Sequence, residues 1–545
     1  MKKLLIILFV LFFSTVYAQQ TVGLFTNTDA SFNGYTLFGS ISSTQTFLID
    51  NCGHKINEWT SDYTTGHAAY LLPDGSLLRA GNVNSSYFST AGKGGIIEKF
   101  DWNNNLVWSY TIATNIINSH HDIKALPNGN VLAIVWEKKL ASEAIAAGRN
   151  PAYVGTNFFS EIIMEIQPVG IDSGIVVWEW KVFDHLIQHY DATKENYGVI
   201  PEHPELININ FNQNVNPDWL HMNSVAYNEE LDQIVISPHN FNEIWVIDHS
   251  TTMSEAAGHT GGNCGKGGDL LYRWGNPAAY ASGTLPNGVK KLFGQHDVQW
   301  ISPGLPHAGK ILIYNNGINR PAGLYSTIEI IDPPLLPDGN YLLNAGEAYG
   351  PAATDFTFPQ VPDLTFYSSN ISSAQQMPNG NILICEGDNG EFFEIDSIGQ
   401  IVWRYVNPSN TTGFITQGTA PSNNNVFKIR RYEPSFSGFT GRDMTPGPLL
   451  ELNPYPDNCI LYTGTENVGI SNPINIMPNP ARDYIFIDNK SNKIQSVQVI
   501  NCLGEVVLSE SADEFSLSLN VKNLMNGIYF IVINKTNISK FVIAK

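Results

Sequence analysis

The chain has 545 residues, 43% of them apolar, 11% aromatic and only 15% charged, with a formal net charge of −20. That length points to more than one folding unit and supplies enough apolar material for a large core. The acidity argues against nucleic acid or anionic lipid as partners, since both are held by Lys and Arg, and the aromatic content argues against a disordered chain.

Lys2 and Lys3 precede an apolar run from Leu4 to Phe13, and Val16-Tyr17-Ala18 supplies the small residues of a cleavage site. Residues 1–18 are therefore expected to be a signal peptide, cut after Ala18. The run is too short to be a stable transmembrane segment, and no later stretch reads as one.

From there a unit recurs: an apolar strand, a turn such as Pro-Asn-Gly, a second strand, then an acid-and-turn followed by a strand bearing Trp. Its back half is read at 46–61, and fuller copies at 70–110, 121–180, 221–274 (degenerate), 296–332 (without the terminal Trp) and 374–405. Alternating or apolar short runs between Gly, Pro, Asn and Asp are strand signals. Four short strands repeated about six times read as an all-β chain, a six-bladed β-propeller with seven blades as the alternative.

Insertions interrupt the period. ASEAIAAGR (141–149) reads as a short helix, and a polar stretch covers 186–216; such insertions over a propeller rim shape a binding mouth. GGNCGKGG (261–268) is a loop rather than a phosphate-binding P-loop, because Gly267 follows Lys266 where Ser or Thr is required. NVFKIRRY (425–432) is expected to close the ring by pairing with the N-terminal copy, which removes unpaired strand edges. The propeller is thus placed at 19–435, a Pro/Gly/Asn-rich linker at 436–471 and a strand-rich tail, a small β-sandwich, at 472–545. Five cysteines (Cys52, Cys264, Cys385, Cys459, Cys502) leave at least one outside any internal disulfide, with the pairing open.

Aligning the repeats on their turns places His67, His121, His221 and His296 at one structural position, the entry of the inner strand, with Ser372 in the last unit. In a propeller these entries converge on the central channel. Strand alternation puts Asn223 on the face of His221, and sends Asp122 and Asp297 to the face opposite their histidines. His120 is the alternative inward residue to His121. Two chemistries suit converging imidazoles: ligation of one metal, as in non-heme iron propellers, or a nucleophilic imidazole with others donating to a transferred anion. A non-catalytic propeller that binds a glycan or aromatic ligand is a third reading.

HDIKALPNGN, DWLHMNSVAYNEELDQIVIS, EIWVIDHSTT, GHTGG with GKGGDLLYRWGNP, LFGQHDVQW, ILIYNNGINR and IVWRYVNP resemble the arylsulfotransferase family of PAPS-independent enzymes, from about residue 35 to 432. The resemblance implies a six-bladed propeller that moves a sulfuryl group from an aryl sulfate donor to a phenolic acceptor without a cofactor. It implies a ping-pong route with His296 as nucleophile, and His121 and His221 with Asn223 around the sulfuryl oxygens. Where the family carries Arg after its His-x-Asn motif, this chain has His239, a weaker and pH-dependent anion donor. Arg273 and Arg320 are the candidates to supply the missing charge. The tail, with its PNPA opening and L-x-x-G-I-Y-F run, resembles the type A sorting domain of type IX secretion. That implies export across the outer membrane by the type IX secretion machinery to a secreted or cell-surface location.

Overall fold

Short β-branched and aromatic runs bounded by Gly, Asn and Pro fold as antiparallel sheets, and among the described residues up to Tyr432 five four-stranded sheets and one five-stranded sheet dominate. The computed structural model describes residues 19–41, 43–282, 289–456, 458–462, 475–488, 493–501, 505–534 and 537–545; the expected signal peptide and Cys502 lie outside them. Two units separate, the first ending at Tyr462 and the second starting at Thr463.

In the first unit, one sheet runs Thr64–Leu71, Leu77–Asn82, Gly95–Phe100 and Leu106–Thr111, and the next Ile117–Ala125, Val131–Leu140, Asn157–Val169 and Ser173–Lys181. Met222–Asn228, Gln233–Pro238, Ile244–Asp248 and Tyr272–Trp274 form a third, and His296–Trp300, Ile311–Asn315, Thr327–Ile331 and Phe356–Phe358 a fourth. Both ends of the unit share the remaining two sheets. Gly23–Asn27 pairs with Ile401–Val406 at the edge of the sheet that begins at Ser373–Gln376. Arg430–Tyr432 pairs with Tyr35–Phe38, supplying the inner strand of the N-terminal sheet, as expected of the 425–432 segment. The result is a β-propeller.

The recurrent Trp has a structural purpose. On five sheets an outer-strand indole donates to a backbone carbonyl of the next sheet or of the segment beside it. The pairs are Trp59 to Asp101 (2.8 Å), Trp108 to Ser173 (2.8 Å), Trp180 to Gly268 (2.6 Å), Trp274 to Pro351 (3.0 Å) and Trp403 to Asn51 (2.8 Å). Each ring is buried, so it adds a large apolar contact to a hydrogen bond that fixes one blade against its neighbour.

The helix expected at 141–149 spans Ala141–Ala146. Behind it, the buried Arg149 donates to the carbonyls of Tyr153, Ile209, Phe211, Asn212 and Asn214, so the long insertion is a fixed cap. Within the stretch expected to be a linker, Phe439 and Leu450 are buried in the propeller core and Cys459 is disulfide-bonded to Cys52. The propeller unit therefore continues well beyond residue 435, because this segment has apolar side chains to bury. Among the described residues Cys264 and Cys385 are free.

The second unit is a β-sandwich, as expected. Asn475–Met477, Tyr484–Asp488 and Ser516–Asn520 form one sheet, and Val506–Glu514, Ile494–Asn501, Gly527–Ile533 and Asn537–Ile543 the other. Ile485, Ile487, Val497, Val499, Leu519, Ile531 and Phe541 fill the space between them.

Candidate active site

Four inner strands carry a β-bulge at the same place. Pairing slips between Thr65 and Ala69, between Ser119 and Ile123, between Met222 and Val225, and between His296 and Gln299. The backbone there is left-handed, with φ of 95° at His67, 52° at His121, 53° at His221 and 50° at Asp297, one residue after His296. His and Asp tolerate this better than most residues, but each such position costs on the order of 1 kcal/mol and aims its side chain away from the normal alternation.

The consequence is an arc of imidazoles. Ring centroids are 5.4 Å apart for His67–His121, 4.5 Å for His121–His221, 5.4 Å for His221–His239 and 5.3 Å for His239–His296. Phe427, from the closing segment, lies against His67, His121 and His296 at 5.0, 6.0 and 6.3 Å. Ser372 shares the left-handed backbone but spends its hydroxyl on Ser368 and the Gly387 amide.

One ring of the arc is favoured for a proton and the others are not. His221 places Nδ1 2.5 Å from the Asp218 carboxylate. Burial opposes a proton on this ring, but the charge and hydrogen bond of Asp218 prevail and raise its pKa. Asp218 is held below the usual carboxylate range: burial works against ionisation, yet His221 and the Thr90 hydroxyl outweigh it. His296 is the opposite. Burial, then the neighbouring His239, push its pKa well below the ordinary value, so it is neutral. Its Nδ1 lies 2.8 Å from Asn316 Oδ1. The Asn316 amide nitrogen donates to the carbonyls of Ser368 and Ile371, which fixes that oxygen toward the ring. Asn316 thus assigns the proton of His296 to Nδ1 and leaves Nε2 a bare lone pair.

His120 is not the inward residue. It stacks on Trp136 at 3.8 Å, and its Nδ1 meets Nδ1 of His121 at 2.8 Å, so one proton is shared between them. On its far side, Nε2 of His120 faces Glu161 Oε2 at 3.7 Å, and neither atom has another partner among the described residues. Burial, then the charge of Asp218, raises the Glu161 pKa well above the carboxylate range, so it is a neutral acid.

His239 lies between His221 and His296 and is neutral, its pKa pulled down to about 4 by burial, then by His221. Asn240 donates to the Asp218 carbonyl and turns its oxygen to His239 Nδ1 (2.9 Å), so His239 Nε2 accepts rather than donates. Asn223 is buried, with its amide nitrogen on the Gln295 carbonyl (2.8 Å) and its oxygen without a partner among the described residues.

Both arginines have partners of their own outside the arc. Arg273 sits on an outer strand, paired to Glu243 at 2.5 Å and donating to the Pro204 and Leu206 carbonyls; its guanidinium is a core fixture. Arg320 stacks on Tyr325 (4.4 Å) and Phe293 (5.2 Å) and donates to Thr327.

Asp122 and Asp297, each next to an arc histidine in sequence, engage a separate set of cations. Asp122 and Asp297 converge on Lys428 at 2.8 and 3.0 Å, and Arg430 reaches Asp297 at 2.6 Å. Tyr70 donates to Asp122 at 2.8 Å. Burial opposes ionisation of Asp297, but Arg430 and Lys428 bring its pKa down to about 2. Sequence reasoning missed Asp218, Asn316, Glu161, Phe427 and Lys428. The signals were faint: an Asp three residues before His221, and cations crowded into a strand of the closing segment.

Solved structures with a similar fold include a protein of unknown function from Bacteroides caccae, at 11% identity and TM-score 0.40, over 73% of this chain and 98% of that one. Another is virginiamycin B lyase from Staphylococcus aureus, at 10% identity and TM-score 0.31, over 71% of this chain and 89% of that one. A third is the Swd1 β-propeller domain from Myceliophteria thermophila, at 8% identity and TM-score 0.34, over 73% of this chain and 90% of that one. No curated protein matches. The Arylsulfotransferase (ASST) family matches residues 26–329, and the Secretion system C-terminal sorting domain matches residues 475–544. The chain therefore belongs to the arylsulfotransferase family and carries a type IX sorting domain that marks it for export to the cell surface or the medium.

Proposed function

We propose that the protein transfers a sulfuryl group from an aryl sulfate ester to a phenol through a sulfohistidine on His296, without PAPS or another soluble cofactor. The observation that carries this is the contrast between two rings of one arc: His296 kept neutral by burial with a bare Nε2, His221 favoured for protonation by the Asp218 carboxylate.

In the first half-reaction Nε2 of His296 attacks sulfur. The N–S bond forms, the ester S–O bond breaks, and the leaving phenolate takes the proton of His221 from Nε2. His221 is then neutral and accepts the proton of the incoming phenol. The phenolic oxygen attacks sulfur, the N–S bond breaks, and both rings return to their starting states. Charge spreads over the sulfuryl oxygens in transit, so donors placed beforehand lower the barrier. His221 supplies one. His121 supplies another when His120 donates to its Nδ1, an arrangement in which the neutral Glu161 carboxyl faces the free nitrogen of His120. His239 and Asn223 present acceptor atoms suited to orienting the phenol hydroxyl.

The test combines a chromogenic aryl sulfate with a phenolic acceptor. Without acceptor, wild type should release a burst of phenol and gain an acid-labile adduct of about 80 Da on His296. If wild type and His296→Ala release phenol equally, the reading fails; stoichiometric iron in the purified protein would favour metal chemistry at the arc instead.

A further inference from the structure

We propose that His185, His259 and Asp269 form a binding site for one divalent transition-metal ion, with zinc the best match to the ligand set. The three residues lie in or beside the glycine-rich segment 258–269, which the sulfuryl-transfer reading leaves unexplained. Their ligand atoms lie within 4.8 Å of one another.

Both Nδ1 of His185 and Nδ1 of His259 lie 2.8 Å from the same oxygen, Asp269 Oδ1. The other nitrogen of His185, Nε2, lies 2.8 Å from the Ala256 carbonyl. A carbonyl can only accept, so Nε2 carries a proton, and Nδ1 is the nitrogen left to face the carboxylate. What sets this contact apart from an ordinary ion pair is that two imidazole nitrogens converge on one carboxylate oxygen, the convergence a shared metal ion requires. The neutral tautomer with Nε2–H on a backbone carbonyl is the arrangement that prepares a histidine to bind metal through Nδ1. Two imidazoles and a carboxylate form a nitrogen- and oxygen-rich set suited to zinc, with remaining positions open to water. Metal–ligand bonds of about 2.0–2.2 Å place neighbouring ligand atoms roughly 3.0–3.5 Å apart, so modest opening of the cluster accommodates the ion.

The surroundings hold the cluster in place. His185 is buried and stacks on Trp180 (5.6 Å, 7° between planes), and the Trp180 indole donates to the Gly268 carbonyl. A Cβ on Gly268 would stand 2.0 Å from the Ala256 oxygen and 2.6 Å from His185 Nε2, so only glycine lets the loop close over this ring. The glycines of the segment thus bring His259 and Asp269 onto a histidine from the 186–216 side of the fold. Metal binding would clasp the loop to the insertion.

The test is zinc titration of the full chain, stripped with chelator, read by calorimetry and by thermal melting. One zinc per chain should bind and raise the melting temperature. His259→Ala removes a ligand whose side chain is 60% exposed, so the metal-free melting temperature should hold while zinc affinity falls at least roughly tenfold. Asp269→Asn should weaken zinc by a similar factor. Absence of zinc binding in wild type, or equal affinity in wild type and His259→Ala, overturns the proposal. Zinc binding that survives His259→Ala and disappears in His296→Ala would place the ion on the imidazole arc and overturn it as well.

Discussion

The carboxylate of Asp218 stands 2.5 Å from Nδ1 of His221, and this contact raises the pKa of one ring of the arc where burial lowers those of its neighbours. A short polar turn before the inner strand delivers both residues, so proton donor and charge partner arrive as a unit.

Asp218→Asn removes the charge that raises the His221 pKa, leaving burial, which lowers it. His221 then becomes neutral near pH 7 and has no proton for the leaving phenolate. Turnover of donors with basic leaving groups should fall about 100- to 1,000-fold, with a smaller loss for a nitrophenyl donor. The alkaline limb of the pH–rate profile should move to lower pH. An unchanged profile would remove Asp218 from the mechanism.

Asn316→Asp tests the positioning of His296. A carboxylate facing Nδ1 would raise the His296 pKa and protonate the nucleophile over part of the neutral range. The acidic limb of phenol release should shift upward, with the adduct forming more slowly at pH 6 than at pH 8. Circular dichroism melts check that the Ser368–Ile371 loop, held by the native amide, stays folded.

Acid stability follows from the neutral rings. His67 and His239 have folded pKa values lowered to about 4, while the unfolded chain titrates near 6.5. The unfolded state therefore binds more protons, and stability is lost as pH falls from about 6.5 toward 4, by about 1.4 kcal/mol per pH unit for each such group. Asp218 and Asp297, with lowered pKa values, add their loss only at lower pH. His67→Asn keeps a residue suited to positive φ and removes one titration, so its urea midpoint should decline less steeply across this window.

Lys428→Met leaves Asp122 and Asp297 buried with Arg430 and, farther off, Lys124 as neighbouring cations. The uncompensated charge should cost about 3–5 kcal/mol, read as a lower urea midpoint in equilibrium unfolding. A change below 1 kcal/mol would show that the other cations, Arg430 first, neutralise the pair without Lys428.

The repeat was legible because each blade needs the same things locally: alternating apolar residues, a tight turn and a Trp that reaches the neighbouring sheet. The same periodicity aligned His67, His121, His221 and His296 without any structure, since residues at one position of a repeat meet around its axis. The cations that Asp122 and Asp297 meet were not legible, because Lys428 and Arg430 arrive from the closing segment far along the chain. His239, Asn316 and Lys428 reach the site from turns and a closing segment outside the aligned position. Their protonation partners lie as many as 306 residues away, as with Lys428 and Asp122. Local pattern therefore determined the architecture and the ring of histidines. Which ring carries a proton, which nitrogen is bare and which arginine is spent on Glu243 depend on burial and long-range hydrogen bonds, and those exist only once the propeller has closed.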